Sequence, residues 1–335
     1  MTRSASMNKI LFFCMIMSGA TIMVGETAAS QQQNTTKIPV ILDTDIGDDI
    51  DDTWALGFLL RSPELDVKLV VGDQGNAEYR AKLIARFLQT AKRTDIPVGV
   101  GMDFNRQDGG RQAEWVKDYN LSDYPGVVYQ DGVQAIIDTI MNAKERITLI
   151  AIGPLPNIAE ALKREPKIAQ KADFVGMHGS VRLGYGGNQQ ISAEYNVRAA
   201  VEACQKVFTA AWPITITPLD TCGLVVLKGE RYKKMKDSDD PIAKAVIENY
   251  RIWLASDEKM DPNMADKNSS TLFDTVAVYL AFAQDFTKME ELGIHVTDDG
   301  YTKIDSAAKT MKVATEWKDM DAFEDLLVSR LTNSQ

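Results

Sequence analysis

The sequence predicts an α/β fold: a single-domain, open and mostly parallel sheet flanked by helices. Three observations predict it. Short β-branched apolar runs recur at 38–42, 65–71, 97–100, 147–152, 174–177 and 214–216, and runs of that length read as buried strands. Between them lie stretches with apolar residues at helical spacing, and a strand–helix–strand rhythm implies crossover connections and parallel pairing. No internal repeat or boundary interrupts the rhythm, and 335 residues at 45% hydrophobic and 25% charged suffice for one large core.

Taken in order, the first thirty residues stand apart. Arg3 and Lys9 precede an apolar stretch from Ile10 to about Val24, followed by Thr27, Ala28, Ala29 and Ser30. A basic start, a short apolar middle and a small-residue end predict a secretory signal peptide at 1–29, with a polar linker at 30–36. The mature domain then spans 37–335, and the expected location is secreted or periplasmic. Removing the leader leaves Cys204 and Cys222, for which a disulfide and two buried thiols are both open. A net charge of -10 excludes nucleic acid and anionic membrane, which need basic surfaces.

Strand 38–42 leads into an acidic run, and 54–60 after it carries a helical apolar face. Strand 65–71, helix 77–91 and strand 97–100 follow. Beyond a polar, glycine-rich loop at 103–110 come helix 132–143, strand 147–152, a helix starting at 157, and strand 174–177. A second glycine-rich loop at 184–187 precedes helix 199–211 and strand 214–216. The polar segment 228–270 reads as mostly helical, 271–286 as an apolar helix, and 294–296 and 310–313 as late strands.

Residues 43–52 read Asp-Thr-Asp-Ile-Gly-Asp-Asp-Ile-Asp-Asp, six carboxylates in ten positions. Most charge runs are solvated faces. This one sits where a buried strand ends and a helix begins, the place where open α/β sheets bind ligands. Like charges held in a tight turn repel unless a cation neutralises them, and hard carboxylate oxygens suit calcium or magnesium. An EF-hand counted from Asp43 fails, because Asp48 and Trp54 stand where it needs Gly and Glu. A haloacid-dehalogenase-type phosphohydrolase also begins Asp-x-Asp, but Gly47 stands where that family has Thr or Val.

The pattern strand, Asp-Thr-Asp-x-Gly, Asp-Asp, helix resembles the nucleoside hydrolase family. Further pieces occur in that family's order: Gly75-Asn76, Gly153-Pro154-Leu155-Pro156-Asn157, Met177, Asn188, Ala193-Glu194-Tyr195-Asn196 and Phe273-Asp274. The resemblance implies calcium-dependent hydrolysis of the N-glycosidic bond of ribonucleosides, releasing ribose and a free base, by a homo-oligomer. It implies calcium ligands at Asp45, Asp52, the carbonyl of Ile152 and Asp274, with Asp45 also accepting a proton from the attacking water. Asp51 would bind the ribose 2'-hydroxyl, Asn76, Asn188, Glu194 and Asn196 the other hydroxyls, and Met177 would pack beside the sugar.

Two departures stand out. The adjacent Asp pair follows the glycine more closely in familiar members, so Asp48 and Asp49 read as an insertion that caps the following helix or adds a ligand. Many relatives carry a proton-donating His before the late Asp, where this chain has Phe273. His178, or stacking on Trp115 or Trp253, is the expectation for the leaving base. Two other readings make different predictions: a secreted nucleoside- or sugar-binding protein without turnover, and a magnesium phosphohydrolase.

Overall fold

The computed structural model describes residues 36–105 and 109–333. The expected signal peptide at 1–29 and all but the end of the linker lie outside them. Ten strands form one sheet: β1 (Ile38–Thr44), β2 (Leu65–Gly72), β3 (Val98–Gly99), β4 (Val128–Tyr129), β5 (Ile147–Ala151), β6 (Ala172–Met177), β7 (Ile214–Thr217), β8 (Thr287–Val296), β9 (Thr302–Ile304) and β10 (Thr310–Trp317). Their spatial order is β4-β3-β2-β1-β5-β6-β7-β10-β8-β9. Pairing is parallel from β4 through β10 and antiparallel where β8 joins β10 and β9 joins β8.

β1 is paired on both sides, which explains its β-branched apolar composition. Val40 and Leu42 pack into one apolar layer, and the intervening Ile41 packs into the other. The pleat thus sends alternate side chains to opposite faces, and helices cover both. From β1 the chain builds outward through β2, β3 and β4, then returns to place β5 on the other side of β1. Adjacent ends that lead in opposite directions leave a crevice beyond β1 and β5. There Asp43 pairs with Ala151, so Asp45 and Gly153 leave the sheet side by side.

Sequence and structure differ mainly beyond residue 270. The helix expected at 271–286 spans Phe273–Leu280. β8 starts at Thr287, well before 294, and is only partly buried, so its first half lacks the apolar run that marks an inner strand. β4, β9 and the final helix Met320–Leu331 carry no counterpart in the sequence reading. That helix had a signal: Asp319 caps it through Ala322 N at 2.9 Å, and Phe323, Leu327 and Leu331 bury one face. Cys204 and Cys222 are both free and buried, in different apolar layers. No helix among the described residues is long and apolar enough to cross a membrane.

Asn157, in the first turn of the helix Pro156–Arg164, locks the strand ends together. Its amide donates to Asp43 Oδ2 at 2.9 Å and Gly72 O at 3.1 Å and accepts from Met102 N at 2.8 Å. Asn157→Leu keeps the branching and the number of side-chain heavy atoms and removes the partner of all these groups, so urea unfolding should show a loss of about 3 kcal/mol. A loss below about 0.5 kcal/mol, typical of surface changes, would show that the strand ends do not depend on it.

Candidate active site

After β1 the chain makes a tight turn before the helix Asp51–Leu60. Gly47 sits at φ 107°, and a Cβ there would lie 2.4 Å from Leu83 Cδ1, so the turn requires glycine. Arg80, buried on the helix Ala77–Thr90, holds the turn from below. Its guanidinium donates to the carbonyl oxygens of Asp45, Ile46 and Gln74. From the other side Gly153 closes in: a Cβ there would meet Asp45 Oδ1 at 2.8 Å. These contacts aim the Asp45 carboxylate into the crevice.

The helix that follows starts with Asp51 and Asp52, both buried. The helix Phe273–Leu280 brings Asp274 against them, its N–H donating to Asp51 Oδ2 at 3.2 Å. Asp51, Asp52 and Asp274 each offer an oxygen within 4.8 Å of the others. The Thr44 hydroxyl donates to Asp52 Oδ1 and itself accepts from Ile46 N, which fixes the rotamer of Asp52.

A cavity of about 220 Å³ opens over these carboxylates. Asp45, Ile152, Met177, Glu194 and Asn196 line it as well. Burial pushes Asp51, Asp52 and Asp274 well up from the ordinary carboxylate range, and repulsion adds to it: from Asp49 on Asp51, from Asp45 and Asp51 on Asp52, and from Asp51, Asp52 and Asp45 on Asp274. Burial raises Asp45 to about 7, although the charge of Arg80 opposes it. Three converging buried carboxylates with hard oxygen donors fit a divalent cation of the calcium or magnesium kind.

The wall on the β5–β6 side is built by one short motif. Glu194 caps the helix Tyr195–Ala199, accepting from Asn196 N at 2.7 Å and Val197 N at 3.2 Å, and also from Gly179 N at 2.9 Å. Burial raises it to about 7 despite those bonds. The Asn196 amide donates to the carbonyls of Ile152 and Met177, both at 3.0 Å, tying together the ends of β5 and β6.

Not every residue singled out from sequence arrives here. Asn76 caps the helix Ala77–Thr90 through Tyr79 N at 3.1 Å and faces a neighbouring cavity. Asn188 is exposed, and its side chain accepts from Gln190 N in a local turn. His178 is buried beside Phe174 and Phe208, with Nε2 3.1 Å from Gly153 O; burial lowers it to about 3, so it is neutral. Trp115 donates to Glu248 Oε2 at 3.1 Å, and Arg86 covers its ring. Trp253 donates to Asp48 O at 2.8 Å, and Arg111 covers its ring. These three side chains are not among those that line the carboxylate cavity.

The insertion does not cap the helix. Ile50 is the N-cap residue, no side chain caps it, and the Asp49 carboxylate accepts from the adjacent Ile50 N. Four lining residues were given no site role in the sequence reading: Arg111, and Tyr185, Tyr195 and Phe273, which form an aromatic wall. Tyr185 meets Phe273 edge to face at 6.1 Å, and its hydroxyl accepts from Tyr195 N at 2.9 Å. Tyr195 carried a signal by standing between Glu194 and Asn196. Arg111 carried none beyond following a glycine-rich loop.

Comparison with known proteins agrees with this fold. A pyrimidine-specific ribonucleoside hydrolase of Enterobacter sp. (strain 638) is 30% identical over 230 residues, covering 63% of this chain and 69% of that protein. Its Escherichia coli O1:K1 counterpart is 29% identical over 234 residues, covering 66% and 74%. Among solved structures, a plant nucleoside hydrolase superposes with a TM-score of 0.75 at 23% identity, covering 89% of this chain and 99% of the other. A purine-preferring ribonucleoside hydrolase from Gardnerella vaginalis gives 0.71 at 22% identity, covering 88% and 98%. With residues 40–325 matching the family described as inosine-uridine preferring nucleoside hydrolase, the chain belongs to that family of enzymes, which hydrolyse the N-glycosidic bonds of nucleosides.

Proposed function

We propose that this enzyme is a calcium-dependent ribonucleoside hydrolase that releases ribose and a free base. The observation that carries the reading is the buried group of Asp51, Asp52 and Asp274 on the floor of the cavity, with Asp45 in its wall. Asp45, Asp52, Asp274 and the carbonyl of Ile152 would hold the calcium, and Asp51 would face the ribose 2'-hydroxyl. Calcium held there would supply a lowered pKa for a bound water and a grip on neighbouring sugar hydroxyls.

The protein's own residues supply the rest. Cleavage passes through an oxocarbenium-like sugar, which a wall of carboxylates stabilises by charge. Asp45, in the wall of the cavity, would take the proton of the attacking water. Glu194, Asn196 and Met177 line the sugar's side of the cavity. The same reading makes residues 1–29 an export signal and the enzyme a secreted or periplasmic homo-oligomer. N-terminal sequencing of the exported protein and light scattering test those two parts.

A reducing-sugar assay on a nucleoside panel should show ribose release that chelation abolishes and calcium restores. Binding without release would favour the non-catalytic carrier, and magnesium-dependent phosphate release would favour the phosphohydrolase. Asp52→Ala should weaken calcium binding at least about tenfold, the scale on which even outer partners of a metal act. Normal calcium binding by that variant would move the ligands to Asp48 or Asp49.

Calcium affinity should also depend on pH. Asp45 must be ionised to bind calcium, and its pKa in the cation-free protein is raised to about 7. Binding therefore releases protons, and affinity falls as pH drops below about 7. The folded pKa lies above the unfolded one, so this group's stabilising contribution is complete below the unfolded pKa and is lost as pH rises through about 7. Chelated protein should therefore melt lower at pH 8 than at pH 5.5, and calcium should recover more at pH 8. Calorimetry in buffers of different ionisation enthalpy counts the protons; zero release refutes the linkage.

A further inference from the structure

Breaking an N-glycosidic bond leaves an electron pair on the base, and something must take up that charge. Phe273 has no proton to give, and His178, Trp115 and Trp253 are seated outside the cavity wall. The Glu194 carboxylate is engaged as an acceptor of three main-chain N–H groups. Among the described residues, Arg111 is the one cationic side chain that lines the carboxylate cavity.

Arg111 is held in place from several directions. Its main-chain N–H donates to Gly47 O at 3.0 Å, which ties it to the turn that carries Asp45. Its guanidinium carbon lies 3.8 Å from the centroid of the Trp253 ring. Nε donates to Ser256 Oγ at 3.2 Å, and Nη2 donates to Trp253 O at 3.3 Å. A guanidinium stacked on an indole and pinned at its edges is a preorganised positive charge that needs no rearrangement as charge develops.

We propose that Arg111 is a catalytic residue that receives the negative charge of the departing base, by charge and hydrogen bonding and without proton transfer. The inference rests on the ribonucleoside hydrolase reading. The C1'–N bond breaks with its electron pair on the base nitrogen, while water oxygen bonds to C1' and gives its proton to Asp45. The base leaves as an anion stabilised by Arg111 and takes its proton from solvent, to which Asp45 returns the one it accepted. Arginine suits the role because it stays protonated across the working pH range.

The test compares leaving groups in the calcium-loaded enzyme. Uridine and inosine need help to leave, whereas 4-nitrophenyl β-D-ribofuranoside releases a phenolate stable without it. Arg111→Gln should lower kcat/KM for both nucleosides about 100-fold, the scale of losing one preorganised electrostatic group. For the nitrophenyl riboside the loss should be at least about tenfold smaller. Arg111→Lys, which keeps the charge, should recover part of the nucleoside rate, and calcium titration checks that each variant keeps its carboxylate site. Equal losses on both substrate types, or none on nucleosides, overturn the role of Arg111. A wild-type enzyme that releases ribose from neither class overturns the ribonucleoside hydrolase reading itself, and this inference with it.

Discussion

Carboxylates packed together out of water repel one another, and the architecture around the crevice answers to that repulsion. Asp43, Asp45, Asp51, Asp52, Asp73 and Asp274 are all buried there. Arg80 is the buried guanidinium in their midst, and its charge lowers the pKa values of Asp45, Asp52 and Asp73 that burial raises. One guanidinium cannot balance such a cluster, so the remaining charge is relieved by protons or by a bound cation. The same arrangement therefore weakens the cation-free fold and gives a cation its binding energy. Thr44, Asn157 and Gly153 hold the cluster against its own repulsion through hydrogen bonds and close packing.

The half of the site built by regular elements was legible in the sequence. A buried strand followed by an acidic run and a helix leaves little freedom in where the carboxylates go, because β1 is clamped by two parallel neighbours. Glu194 and Asn196, expected at ribose hydroxyls, do line the cavity, and the bonds they make there are a helix cap and an amide tying two strand ends. Asn76 and Asn188 do not line it. An Asn that caps a helix or turns a loop carries the same letter as one that binds a hydroxyl, and only the direction of its side chain separates them.

The aromatic side of the cavity is assembled from segments far apart in sequence. Arg111, Tyr185 and Phe273 reach one cavity from three such segments, and no periodicity links them. The aromatic residues that sequence suggested failed on direction. Trp115 and Trp253 are large and buried, but each indole N–H is committed to a partner and each ring carries an arginine on its face. Burial alone gives an indole reason enough to be where it is.

The lengthened turn and the altered base side are linked by contact. Asp48 and Asp49, the residues in excess of the family spacing, use their main-chain carbonyls as struts: Asp48 O accepts from the Trp253 indole and Asp49 O from the Gln112 amide at 3.3 Å. The first bond holds Trp253 as a platform behind the cavity wall, and the second anchors the segment that carries Arg111. With the indole held there, its face is the surface on which the guanidinium rests. A longer acidic turn thus positions the Arg111 guanidinium at the cavity's edge, and the Asp49 carboxylate lies close enough to feel its charge. On this argument Asp48 and Asp49 act through their backbone on the side of the cavity where Arg111 sits, while Asp51, Asp52 and Asp274 form the group that could hold a cation.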